Sequence, residues 1–126
     1  MGERVVKKLS LPALKKKADK VFSLYIRRRD TESDGWGRCV SCGKYERLQC
    51  GHWQKRGWLS LRYHPQAAHG QCLRCNHFLG GNEGPYTLRM IEMYGLDQVK
   101  KLMELKHQVI KLTREDYEQL IDRFSV

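Results

Sequence analysis

The sequence predicts an α+β fold: a long basic helix, a small β-rich core framed by paired cysteines, then three short helices. Three observations predict it. Apolar residues recur at spacings of three and four between residues 14 and 26. Between residues 36 and 71, short β-like pieces are broken by Gly37, Gly43, Gly51, Gly57 and Gly70. Beyond residue 85 the three-and-four spacing returns in separate stripes.

The first helix should start at Ser10, which can cap it, with Pro12 fitting the first turn. Leu14, Ala18, Val21, Phe22, Tyr25 and Ile26 then form an apolar stripe, with lysines opposite. The helix should fail near Asp30, where Thr31-Glu32-Ser33-Asp34-Gly35 is turn-like. The glycine-broken stretch that follows suits hairpins. A short helix is expected around Cys72 to Phe78, ended by Gly80-Gly81-Asn82-Glu83-Gly84-Pro85. Tyr86, Met90, Ile91 and Tyr94 make the next stripe, which Gly95 ends; Leu96, Val99, Leu102, Met103 and Leu105 make another. Thr113 with Asp116 is a box-like cap before Tyr117, Leu120, Ile121 and Phe124, with Asp in place of the preferred Glu. These stripes read as core.

At 126 residues and 14.9 kDa the chain suits a single domain, 1–126. Within it we expect a basic helical arm over 1–30, the cysteine-framed core over 36–82 and a helical part over 84–126. No apolar run approaches the roughly 18 residues of a membrane span. Met1-Gly2-Glu3-Arg4 leads into charged residues without the apolar stretch of a secretory signal, so an intracellular, non-membrane protein is expected. The net charge of +10 is unevenly spread. Residues 1–29 carry ten Lys/Arg against two acids, residues 30–82 seven against four, and residues 83–126 seven against eight. A field so concentrated points to a polyanion such as nucleic acid; a merely solvated basic helix is the blander alternative.

Four of the five cysteines fall into Cys39-Val40-Ser41-Cys42 and Cys72-Leu73-Arg74-Cys75. Two Cys-x-x-Cys pairs can supply four thiolates to one tetrahedral Zn²⁺, a closed site that holds a fold and does no chemistry. Redox dithiols or disulfides are the alternatives, and both suit an intracellular chain with two such pairs less well. Cys50 is left over and reads as a small core residue. The 29 residues between Cys42 and Cys72 exceed an ordinary ribbon loop. That insert and its flank hold His52, His64, His69, His77 and Asn76. Imidazole takes a proton from water near neutral pH, and His and Asn are ordinary ligands for a divalent cation. With a polyanion-binding surface, the set suggests phosphodiester hydrolysis.

Cys39-x-x-Cys42, His52, Cys72-x-x-Cys75 and Asn76 resemble the HNH, or His-Me finger, endonucleases. More narrowly, the sequence resembles the NinG/Rap recombination nucleases of lambdoid phages. The matching stretches are Lys16-Lys17-Ala18-Asp19, Phe22-Ser23-x-Tyr25-Ile26-Arg27-x-Arg29-Asp30 and Cys39-Val40-Ser41-Cys42-Gly43. They continue through Gly51-His52-Trp53, Arg56-Gly57, Leu61-Arg62-Tyr63 and His69-Gly70-Gln71-Cys72-x-x-Cys75-Asn76 to Gly81-Asn82 and Tyr86. The resemblance spans roughly residues 10 to 125.

What this resemblance implies is a zinc-stapled ββα-metal core and a metal-dependent DNA endonuclease in the cytoplasm of a bacterial host. Its substrates would be branched recombination intermediates of a phage or prophage, meaning Holliday junctions and D-loops. His52 takes the place of the base that activates water, and Asn76 that of a metal ligand on the helix. Two positions depart from the wider pattern. Gly51 stands where many such enzymes have a metal-binding Asp, and Ala67 stands where an Asn usually supports the base-bearing loop. His69 is the candidate to complete the ligand set for Mg²⁺ or Mn²⁺, ahead of His64, His77 and Gln49. Lys15, Lys16, Arg27, Arg28, Arg56, Arg62 and Arg74 are the candidate phosphate contacts; such contacts position DNA without reading sequence. Cutting a two-fold junction on both strands would suit a homodimer, with the C-terminal helices as the expected interface. The competing class is a non-catalytic zinc module that only binds DNA or RNA, which leaves His52 and Asn76 without a role.

Overall fold

The computed structural model describes residues 8–125; Arg4 and Lys7 of the basic stretch lie outside the described residues. The first helix, α1, spans Leu11–Asp30, and the Ser10 side chain accepts from the Ala13 N–H at 3.3 Å, as the cap chemistry requires. Three short strands follow: β1 (Trp36–Arg38), β2 (Tyr45–His52) and β3 (Ala68–Cys72). All pair antiparallel in the order β1-β2-β3. The β2–β3 register sets Gly51 opposite His69 and His52 opposite Ala68. Between these two strands the chain makes a short helix the sequence did not announce, α2 (Leu59–Arg62).

After β3 a single π-helical turn, Arg74–Phe78, stands where a short helix was expected. Gly80, Gly81 and Asn82 then take positive φ of 60°, 98° and 42°, which stops that turn and starts the next helix. The C-terminal helices are α3 (Glu83–Tyr94), α4 (Leu96–Lys106) and α5 (Arg114–Phe124). The capping box is formed at α5: Thr113 Oγ1 accepts from the Asp116 N–H, and the Asp116 carboxylate accepts from the Thr113 N–H.

The β2–β3 hairpin lies between two helical layers. On one side α1 contributes Leu14, Ala18, Phe22 and Ile26 and α5 contributes Tyr117 and Phe124, joined by Tyr63 and Ala68. Phe22 and Phe124 meet edge to face at 5.0 Å between ring centroids. On the other side Tyr86, Met90, Val99 and Leu102 of α3 and α4 enclose Trp53, Leu61 and Ala67 from the β2–β3 connection. The apolar stripe of α1 is a wall of the core, while Lys15, Lys16, Lys17, Lys20, Arg27 and Arg28 face solvent. The C-terminal stripes are core as expected, with Tyr86, Met90, Val99, Leu102, Tyr117 and Phe124 all buried.

Candidate metal clamp and cleft

The four paired cysteines converge. Their sulfurs lie within 4.8 Å of one another, and Cys42 Sγ and Cys72 Sγ are 3.8 Å apart. A regular tetrahedron of zinc–thiolate bonds near 2.3 Å has an edge of about 3.8 Å, whereas a disulfide needs about 2.05 Å. The donor set therefore fits zinc. The first pair forms a knuckle in which the Cys42 N–H points at Cys39 Sγ (3.5 Å) and Gly43 turns the chain at φ 76°. The second pair closes β3 and opens the π turn, so the clamp ties β1's exit to the end of the hairpin. Buried Gln71 braces both knuckles: its Nε2 donates to Ser41 Oγ (2.8 Å) and to the Gly81 carbonyl (2.6 Å). Cys50 stands apart from the clamp, and burial pushes its thiol up to about 12, as suits a core residue.

A cleft of about 850 Å³ brings together His52, Asn76, Asp19 and Arg56, with Lys20, Lys55, Lys106 and Glu83 among its walls. His52 ends β2, and its Nε2 lies 3.1 Å from the Arg62 carbonyl oxygen. A carbonyl only accepts, so Nε2 carries the hydrogen and Nδ1 keeps a lone pair. Burial lowers the His52 pKa, with the Arg56 and Arg62 charges adding to that effect and the Arg62 carbonyl and Asp19 opposing it. Burial thus favours the neutral form of the ring. Asn76 Nδ2 donates to Gln49 Oε1 at 2.9 Å. That bond fixes the amide and leaves Oδ1, the atom a cation would take, without a hydrogen-bond partner among the described residues.

His69 is not in this cleft, which corrects its expected place in the ligand set. Alternation along β3 sends it to the opposite face of the hairpin, where it is 4% exposed. Tyr86 Oη donates to the Gly51 carbonyl (2.7 Å), so its single proton is used. His69 Nδ1–H then donates to Tyr86 Oη (3.1 Å), and Nε2 accepts from Tyr94 Oη (2.6 Å). Both nitrogens are consumed, and burial, helped by the Arg29 charge, pushes the ring's pKa down to about 4. Gly51 has a physical reason as well: a Cβ there would lie 2.1 Å from Gln71 Oε1, so no aspartate fits without displacing that brace. Among the described residues, the four cysteines are the only group of three or more His, Cys, Asp or Glu close enough to share an ion. The ligand set expected for a second cation is thus reduced to Asn76. Of the weaker candidates, Gln49 is the one beside Asn76, its Oε1 taken up by the Asn76 amide, while His64 Nδ1 accepts from the Gln66 N–H and exposed His77 packs on Phe78.

Arg62 is also reassigned. Its guanidinium grips Asp19 through Nε (3.0 Å) and Nη2 (2.6 Å) and is not free for phosphate. Arg56 Nη2 (2.8 Å) and Tyr63 Oη (2.7 Å) bond the same carboxylate. Burial works against ionisation of Asp19, but these hydrogen bonds and the two arginine charges outweigh it and hold the carboxyl below its usual range. Asp19 is the residue that sequence reasoning passed over. The available signal was a single acid inside the run Lys15, Lys16, Lys17 and Lys20.

A family model described as "Bacteriophage Lambda NinG protein" matches residues 3–126. The chain belongs to the NinG family. Curated relatives include "Protein ninG" of Salmonella phage P22, 31% identical over 104 residues that make up 80% of this chain and 49% of the relative. "Protein ninG" of Escherichia phage lambda is 30% identical over 104 residues, or 80% of this chain and 48% of that protein. The chain thus spans about half the length of these family members. No solved structure matches it. No helix among the described residues is long and apolar enough to cross a membrane.

Proposed function

We propose that this NinG-family chain is an HNH-type, metal-dependent DNA endonuclease that hydrolyses phosphodiester bonds in branched recombination intermediates of a phage or prophage. The observation that carries the reading is His52. Its Nε2–H is held by a backbone carbonyl, its Nδ1 has no hydrogen-bond partner among the described residues, and it shares a cation-lined cleft with Asn76. A further support is connectivity. The hairpin β2–β3 followed by the turn that bears Asn76 runs strand, strand, helical turn, the order of a ββα-metal site.

In this reading the cysteine clamp holds zinc and keeps β3 and the Asn76 turn in place. His52 Nδ1 takes a proton from the water that attacks phosphorus, while the Arg62 carbonyl stabilises the imidazolium through Nε2–H. Mg²⁺ or Mn²⁺, when bound, supplies positive charge at the phosphate and the leaving oxygen. Asn76 Oδ1 would be its protein donor, with substrate phosphate supplying the anionic ligands. Lys15, Lys16, Arg27, Arg28, Arg56 and Arg74 supply contacts to flanking phosphates.

A non-catalytic zinc module is the second reading, favoured by the His69 geometry, which leaves the cation ligand set short. Cleavage of supercoiled plasmid and of a four-way junction, with Mg²⁺ or Mn²⁺, separates the two. The endonuclease reading expects wild type to cut, and His52→Ala to bind but not cut. Wild-type binding without cleavage under any divalent ion supports the module instead.

A further inference from the structure

We infer that Asp19, on α1, is a positioning residue for His52, acting through Arg62. The inference rests on the reading of His52 as the base. The chain of contacts is continuous. The Asp19 carboxylate accepts four hydrogen bonds, two from Arg62 and one each from Arg56 and Tyr63. Four bonds fill the acceptor capacity of a carboxylate, so its direction is fixed. Arg62 is the last residue of α2, where carbonyls lack partners within the helix. That carbonyl is the one that receives His52 Nε2–H at 3.1 Å. Holding the Arg62 side chain at two points holds its peptide, and the peptide selects the imidazole tautomer and ring plane.

Two further observations place this duty on α1. Ala67, buried in the connection, contributes only its backbone there, its carbonyl accepting from the Trp53 N–H at 2.9 Å. Phe22, one turn beyond Asp19, sets its ring 6.0 Å from that of His52. The helix that carries the lysine run therefore also sets the ring. An exposed ion pair is usually worth little. This one differs in being two-pronged and shared among four side chains, with Asp19 and Arg62 each less than a quarter exposed.

The test uses the zinc-loaded full chain and two readouts. Long-range proton–nitrogen NMR of the imidazoles reports the His52 tautomer, and single-turnover junction cleavage reports the chemical step. Wild type should show His52 with hydrogen on Nε2. Asp19→Asn should populate the other tautomer and slow the chemical step on the order of tenfold to a hundredfold, with junction affinity unchanged, as misplacement of a reacting group does. Asp19→Glu should restore part of both. If Asp19→Asn does not fold, Arg62→Lys reads the same two signals, since it keeps the charge and loses the two-point grip. Tyr63→Phe, which removes one of the four bonds but leaves Arg62 held at two points, should move both signals less than Asp19→Asn does. A His52 tautomer and a cleavage rate per folded molecule that match wild type in Asp19→Asn would overturn the inference, as would a wild-type His52 already mixed between tautomers. Should wild type cut no DNA, the endonuclease reading fails while the NMR signal still decides whether Asp19 sets the ring.

Discussion

His52 and His69 sit on neighbouring rungs of the β2–β3 ladder, and the fold uses them in opposite ways. His69 gives both nitrogens to tyrosines of α3 and is sealed between the hairpin and that helix. His52 gives one nitrogen to a carbonyl, and its side chain belongs to the lining of a cleft that also holds Lys20, Lys55, Arg56 and Lys106. The two residues occupy adjacent rungs, yet strand alternation sends their rings to different faces. The lesson is that a histidine count near a cysteine clamp does not make a ligand set; a face does.

The largest expected effect erases the contrast. Removing zinc with a thiol-competing chelator, or replacing Cys72 by Ser, frees the end of β3 and with it the register that separates the two rings. Structural zinc in small domains contributes on the order of 10 kcal/mol, comparable to a domain's whole stability. Circular dichroism and thermal melts should show loss of the cooperative transition, restored by added Zn²⁺.

Next in size is the chemistry of the cleft ring. His52→Ala should lower single-turnover cleavage by about 10²- to 10⁴-fold, the usual contribution of a general base, with a melting temperature near wild type. His69→Ala should do the reverse. It leaves the Tyr86 and Tyr94 hydroxyls without their partner, costing about 1–3 kcal/mol in a urea titration. Its cleavage rate per folded molecule should stay within about tenfold of wild type, since its distance from the reacting atoms allows only indirect effects.

How much of this was legible follows from how local each determinant is. The clamp was readable because two Cys-x-x-Cys pairs carry their own geometry. The ends of α1 and α5 were readable because Ser10 and the Thr113–Asp116 box act within one turn. The place of His69 needed the hairpin register, which depends on the long connection between residues 52 and 68. Asp19 was invisible because its partners Arg56, Arg62 and Tyr63 lie about forty positions away, brought near only when α1 packs on the hairpin. Arg62 misled for the same reason: an arginine near a candidate site looks like a phosphate contact until its carboxylate partner is seen.

A smaller effect is the pH response of the sealed ring. The folded-state pKa of His69 is about 4, below its ordinary 6.5, so the unfolded chain takes the proton first. Stability contributed by neutral His69 is therefore intact above pH 6.5 and is lost as pH falls toward 4. The difference between wild type and His69→Gln, measured by urea unfolding across that range, isolates this ring from the zinc thiolates, which also lose metal in acid. Smallest should be the exposed cations, which touch neither histidine. Lys15→Ala or Arg74→Ala should each flatten the salt dependence of DNA binding by about one unit of slope.

The most direct test of the contrast is the single-turnover rate of four-way-junction cleavage by His52→Ala and His69→Ala, measured side by side with Mg²⁺ or Mn²⁺ and corrected for folded fraction. The account predicts that His52→Ala loses at least about a hundredfold and that His69→Ala stays close to wild type. Equal losses in two folded variants, or a His52→Ala protein that cuts like wild type, would contradict it.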